Sequence, residues 1–205
     1  MSEVYADGEL VTFEGPPPSS PGQIYELLMA ALSEKGRAVT KFVVDGVDLL
    51  KEEGDAPETF EKIEVTSLTH QELTLRVIRE SLQAMDNLAD ELRAYAQNIL
   101  ILGWSEIFRR MQEFIARIQP FADLLDNLGP YAGAYTPEWG NGLAELAKTQ
   151  ADSLERILKC FEAGDSSGLS DEVALEFAPL FERCRKFLME EAVIDLEKRV
   201  GEAAA

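Results

Sequence analysis

The chain has 205 residues, 46% apolar and 28% charged, with 38 Asp and Glu against 19 Lys and Arg and a formal net charge of −19. So acidic a chain repels phosphate backbones, which excludes ordinary nucleic-acid binding, and one His with two separated Cys cannot supply the usual ligands of a zinc site. The longest apolar run, Ile99-Leu100-Ile101-Leu102, stops at Gly103, far short of membrane length.

The acidity is spread. Residues 1–68 hold 14 acids and 5 bases, and residues 69–205 hold 24 and 14, so no tail or arm concentrates the charge and it reads as a solvated surface. The first ten residues lack the basic and apolar segments of a signal peptide. Cys160 and Cys184 have no closely spaced partner and read as reduced thiols. A cytoplasmic setting is expected, with no membrane contact.

In chain order, Val4 to Phe13 is two β-prone runs around Asp7-Gly8, a hairpin signal. The segment 15–22, rich in Pro and Gly, is a loop. Ser20 and Pro21 then start a helix over 21–35 with Ile24, Leu27, Leu28, Ala31 and Leu32 on one stripe, stopped by Gly36. Strands follow over 38–44, 47–50 and 63–68, the first two joined at Asp45-Gly46 and the last preceded by a polar loop at 52–57. This order resembles the β-grasp, or ubiquitin-like, fold. It rests on the Asp7-Gly8 hairpin, the 24–32 stripe, Phe42-Val43-Val44-Asp45-Gly46 and Ile63-Glu64-Val65, and it covers one third of the chain. No terminal Gly-Gly accompanies it, so conjugation chemistry is not expected and binding is the role the resemblance leaves.

From Thr69 the apolar period changes from two to about 3.6. Thr69-His70-Gln71-Glu72 fits a capping box, and Leu75, Ile78, Leu82, Met85, Ala89, Leu92, Ala96 and Ile99 form a heptad-like seam. Trp104, Phe108, Met111, Ile115, Ile118, Ala122 and Leu125 continue near the same phase, so the helix is expected to pass through Gly103 and to bend at Pro120. The segment 129–135 reads as a break, with Thr136-Pro137 restarting a helix that ends at 164–168. Ser170-Asp171-Glu172 caps the last helix, and Pro179 kinks it or marks its true start. The prediction is an α+β protein: a β-grasp-like domain over 1–68 and an antiparallel bundle of three to four long helices over 69–205. Such a plan is similar to that of uncharacterised bacterial proteins and, in architecture alone, of small helical secretion chaperones.

No catalytic set emerges. His70 lies at a helix start, read as exposed, with no nucleophile near it in sequence. There is no Glu-x-x-His for a di-iron site, and Glu106, Glu113, Glu145, Glu155, Glu176 and Glu190 fall off the apolar stripes. Neither the Gly15 nor the Gly140 segment fits a nucleotide fingerprint. Glu106 with Arg110 and Glu182 with Lys186 are expected ion pairs at i, i+4. No catalytic residue, metal or cofactor is assigned. The candidate binding residues are the aromatics Trp104, Phe108, Tyr131, Tyr135 and Trp139, read as one cluster. The expected function is non-enzymatic protein interaction, adaptor or chaperone-like. The alternatives are a small-molecule binder or enzyme with a pocket between sheet and helices, and a homodimer paired through the 75–99 seam.

Overall fold

The computed structural model describes residues 3–13, 15, 18–51, 57 and 59–203. Most of the expected polar loop at 52–57, and Pro16-Pro17 of the proline-rich loop, lie outside them. The chain divides into two compact units, residues 1–73 and 74–205.

The first unit is a five-stranded mixed sheet with one helix on it. The strands are β1 (Glu3–Ala6), β2 (Glu9–Leu10), β3 (Arg37–Val44), β4 (Val47–Asp48) and β5 (Lys62–Thr69), and the helix is α1 (Pro21–Glu34). The strand order is β2-β1-β5-β3-β4, with β1 and β5 parallel and every other pair antiparallel. Strict alternation along β5 turns Ile63, Val65 and Ser67 inward. Val4, Phe42 and Val44 join Ile63 and Val65 against Ile24 and Leu28 of α1 to make the core. The second of the two runs expected around Asp7-Gly8 is strand only over Glu9–Leu10, paired with Ala6 and Tyr5, and the Val11 amide adds a hydrogen bond to the Val4 carbonyl at 2.8 Å.

Both Asp-Gly pairs form turns with positive φ at each residue, 52° and 86° at Asp7-Gly8 and 49° and 91° at Asp45-Gly46, the geometry that matches strand twist in a two-residue hairpin. The aspartates do more than turn the chain. Asp45 accepts hydrogen bonds from the Glu61 and Lys62 amides at 3.0 and 2.7 Å, fastening the start of β5. Asp7 accepts from the Ser67 amide at 2.7 Å, the Ser67 hydroxyl at 2.6 Å and the Arg37 guanidinium at 3.1 Å, fastening its end. Partial burial pushes the Asp7 carboxyl up, but the Ser67 hydrogen bonds and Arg37 together outweigh it and hold the group below its ordinary value of 3.8.

The native Asp7 carboxyl therefore binds its proton more weakly than the unfolded one. Its contribution to stability is complete above the unfolded value and is lost as pH falls through the lower native value. Asp7→Asn keeps a residue that tolerates positive φ and removes the charge. Thermal midpoints measured from about pH 6 to about pH 2 should show the substituted protein less stable at the upper end and converging on the unsubstituted one at the lower. Parallel curves would show that the carboxylate contributes nothing.

β5 passes directly into α2 (His70–Ala84). The capping box forms as expected: Thr69 Oγ1 accepts from the Glu72 amide at 3.2 Å, and the Glu72 carboxylate accepts from the Thr69 amide at 2.7 Å. His70 is half-buried rather than exposed, and its amide donates to the Gly36 carbonyl at 3.1 Å.

The second unit is helical and departs from the expected breaks. The seam turns a corner instead of running straight: after α2 the chain restarts as α3 (Leu88–Ile99), with Asp86-Asn87 at the corner. Met85 and Leu88 both stay buried across it, which is why spacing alone conceals the turn. The helix also stops at Ile99. Leu100 and Ile101 turn outward, and Gly103 in extended backbone precedes α4 (Trp104–Tyr135), so the expected continuity through Gly103 does not occur.

Conversely, α4 runs unbroken through Pro120, Gly129, Pro130 and Gly133, where a bend and a break were expected. Pro120 and Pro130 are exposed, and so are Ala116 and Asp126, so the carbonyls that lose a partner lie on the wet side. Burial of Phe121, Leu124, Leu125, Leu128 and Tyr131 holds the other side, outweighing about 1 kcal/mol per glycine. Thr136, with φ 42°, closes α4 rather than opening the next helix, and α5 (Gly140–Ala163) starts after Trp139.

Gly164, with φ 67°, ends α5 as expected. Asp165, not the 170–172 triplet, caps the final run: its carboxylate accepts from the Gly168 amide at 2.8 Å. Ser170 instead donates to the Ala96 carbonyl at 2.9 Å. From α6 (Ser166–Asp171) the helix continues through a π turn (Glu172–Phe177), α7 (Ala178–Phe187), a second π turn (Leu188–Ala192) and α8 (Val193–Ala203). The first π turn slips the register just before Pro179, whose ring would otherwise press on the Leu175 carbonyl. All eight seam residues are buried in this unit's own core, so they are not free to pair with a second copy.

Candidate functional site

The five candidate aromatics form two groups, not one. Because α4 is continuous, Trp104 and Tyr131 are 27 residues apart on one helix, about 40 Å at 1.5 Å per residue. Tyr131, Tyr135 and Trp139 stack at the turn into α5: Tyr131 lies 4.7 Å from the Tyr135 ring and 5.9 Å from the Trp139 ring. Trp139 is 3% exposed and its indole N–H donates to Asp195 of α8 at 3.1 Å, where Arg199 also donates at 2.8 Å. Burial raises the Tyr131 phenol, with Arg199 opposing. This group locks α8 to the turn; its two most buried rings have no free face for a partner.

Beside it, α4 and α5 enclose a cleft of about 410 Å³ lined by small residues, among them Gly129, Gly133, Gly140, Ala144 and Ala147. Its polar side chains are Thr136 and Asn141, and none of its lining residues is titratable.

The other group is open to solvent. Trp104 is half-buried against Phe161 at 5.9 Å, and Phe108 is 61% exposed. Ile101 just before them is 80% exposed, and Ile115, two turns after Phe108, is 45% exposed. In the stripe 104-108-111-115, read from the sequence as core, Trp104 and Met111 pack half-buried against the core while Phe108 and Ile115 face outward. The core face is Ile107, Phe114, Ile118, Phe121 and Leu125. The signal was present in the neighbouring pairs Ile107-Phe108 and Phe114-Ile115: one buried stripe cannot take both members of each pair.

The antiparallel partner α5 carries a matching stripe. Leu158 is 52% exposed, Ala144 and Ala151 are exposed, and Ala147 and Leu154 are half-buried, at alternating spacings of three and four. A Cβ on Gly140 would lie 3.6 Å from that of Ala132, and Trp104 touches Phe161, so the register sets Leu158 level with the first turns of α4 that carry Phe108 and Met111. Glu106, at the edge of this face, accepts from Arg109 at 2.6 Å and Arg110 at 2.8 Å, and these hydrogen bonds lower its carboxyl to about 2. The Glu106–Arg110 pair is as expected. Glu182 pairs with Arg93 across helices at 2.8 Å rather than with Lys186.

Chemistry elsewhere is sparse. Burial pushes the Cys184 thiol up to about 12 and raises Cys160, so neither is a thiolate at neutral pH. Among the described residues, no group of three or more His, Cys, Asp or Glu is placed to hold a metal ion, and no helix is long and apolar enough to cross a membrane. None of the protein-family models, curated proteins or solved structures compared with this chain matches it.

Proposed function

We propose that the chain is a protein-interaction module without an active site of its own, that its working surface is the outward face of α4 and α5, and that its first unit is a β-grasp module. The exposed apolar stripe supports the first two points. Phe108, Ile115 and Leu158 are large apolar side chains left exposed on this helix pair, and contiguous exposed apolar surface marks places that other proteins cover. Strand order β2-β1-β5-β3-β4 with a parallel central pair and one helix on the sheet supports the third. The 410 Å³ cleft has no titratable lining, so acid–base or nucleophilic catalysis would have no group there to carry the proton or the bond.

Immobilised full-length chain, offered an extract of its source organism, should retain protein in stoichiometric amount, further copies of itself included. Phe108→Asp with Leu158→Asp should abolish that retention while leaving the far-ultraviolet circular dichroism unchanged, because both side chains are half or more exposed. Equal retention by both proteins, or none by either, would overturn the proposal.

A further inference from the structure

We infer that Asn141-Gly142, at the start of α5, is a site of spontaneous modification, where the chain converts its own asparagine to aspartate. The reaction needs an asparagine side chain within reach of the next backbone nitrogen, and a next residue that does not crowd that nitrogen. The sequence has four asparagines, and only Asn141 precedes glycine; Leu88, Ile99 and Leu128 follow the others. Packing demands this glycine, because a Cβ on Gly142 would lie 2.6 Å from the Phe187 ring. Asn141 itself is exposed and lines the cleft of about 410 Å³ between α4 and α5.

The attacking nitrogen is free. Gly142 lies in the first turn of α5, before the helix can supply a carbonyl one turn back, and no side chain caps that end. Among the described residues, the Gly140 amide donates to Pro137 and the Leu143 amide to Trp139, while the Gly142 amide between them has no such partner. By contrast, the Leu88 amide donates to the Met85 carbonyl at 3.1 Å, and Ile99 and Leu128 lie well inside α3 and α4. Asp7 and Asp45 also precede glycine, but the Ser67 and Lys62 amides hold their carboxyl groups at 2.7 Å. As the first turn of α5 frays, the Gly142 nitrogen loses its proton and attacks Cγ of Asn141. The new N–Cγ bond closes a cyclic imide, the Cγ–Nδ2 bond breaks, and ammonia leaves with the proton. Water then opens the ring, at one carbonyl to aspartate and at the other to its β-linked isomer, with no change of oxidation state. The aspartate suits its place. The first turn of α5 holds no acid, the helix dipole favours one there, and it would be the first titratable group to line the cleft.

The full-length folded chain, stored warm at neutral pH, then digested and read by mass spectrometry, tests this. The fragment containing Asn141 should gain one mass unit, the difference between hydroxyl and amine. Its rate should lie within about tenfold of that of a synthetic peptide of the same sequence stored alongside, because a helix end opens at little cost in free energy. Reaction through the globally unfolded chain, populated at about 10⁻³ or less, would be at least about a thousandfold slower than the peptide. The rate should rise in proportion to hydroxide, since the attacking nitrogen must lose its proton. Asn141→Gln, whose longer side chain closes a larger and slower ring, should remove the mass gain, and the fragments containing Asn87, Asn98 and Asn127 should keep their masses. A folded chain that reacts at Asn141 more than about tenfold more slowly than the peptide, or equally fast at Asn98 or Asn127, would overturn the inference.

Discussion

Replacing Phe121 by alanine should destabilise the helical unit by about 3–5 kcal/mol, the usual loss for a buried phenylalanine that leaves a cavity. Phe121 is 1% exposed and belongs to a chain of five aromatic rings. Its ring meets Phe181 edge-on at 5.1 Å and Phe177 edge-on at 6.2 Å; Phe177 lies 6.4 Å from Phe114, and Phe114 stacks on Tyr95 at 5.0 Å. The rings come from α3, α4, the first π turn and α7, so one cavity loosens four elements. Such pairs add about 0.5–1.5 kcal/mol beyond their buried area. The thermal midpoint should fall by about 10 °C or more. Phe121→Leu, which keeps most of the volume, should cost less than half as much. A loss below about 1 kcal/mol for the alanine would show that this chain of rings is not the packing centre of the unit.

The helix that carries Phe177 slips by one residue at the first π turn. The Ala178 amide donates to Val173, five residues back. The slip turns the residues from Ala178 onward by about 100° relative to those before Glu172, while Phe177 and Phe181, four residues apart, share one helix face and both meet Phe121. Nothing in a list of apolar spacings distinguishes a π turn from an ordinary one, since one inserted residue still leaves intervals of three, four or five. The same blindness hid the corner at Asp86-Asn87.

The sheet was far more legible. Its two hairpins announce themselves as Asp-Gly, β5 alternates cleanly from Lys62 to Ser67, and the helix between them has a cap and a stop at Ser20 and Gly36. These are local signals, decided within a few residues. The clamps of Asp7 on Ser67 and Asp45 on Glu61 and Lys62 were not legible, because their partners are up to 60 residues away. In the helices the local signals misled. Pro120, Gly129, Pro130 and Gly133 all argue for interruption, and the burial of Phe121, Leu128 and Tyr131 overrides them. That override explains the fate of the candidate site. Continuity of α4 separates the aromatics that seemed to form one cluster, and it lengthens the outward stripe into a surface. The named residue that matters is Phe108, chosen for its ring but significant for its exposure.

Glu172→Ala should cost about 2 kcal/mol, the second large effect expected in this unit. The Glu172 carboxylate is 12% exposed at the first position of the π turn, and one of its oxygens accepts from Ser153 Oγ at 2.8 Å and from Arg156 Nε at 2.9 Å. Removing it strands the hydroxyl of Ser153, a residue 1% exposed, while Arg156, nearly half exposed, can return to water. The loss is therefore dominated by the buried hydroxyl and the lost fastening rather than by the ion pair, and added salt should change it little. Glu172→Gln keeps an acceptor for Ser153 and should cost about half as much. Ser153→Ala should cost about 1 kcal/mol alone and less in the Glu172→Ala background, a coupling that urea midpoints of the four proteins would measure. Full additivity would show that the two groups do not work together. Ser153 is on the inward side of α5, and Leu154 and Leu158 lie on the side that carries the stripe. The polar clasp thus holds α5 from its inward side, which keeps the proposed interface rigid before anything covers it.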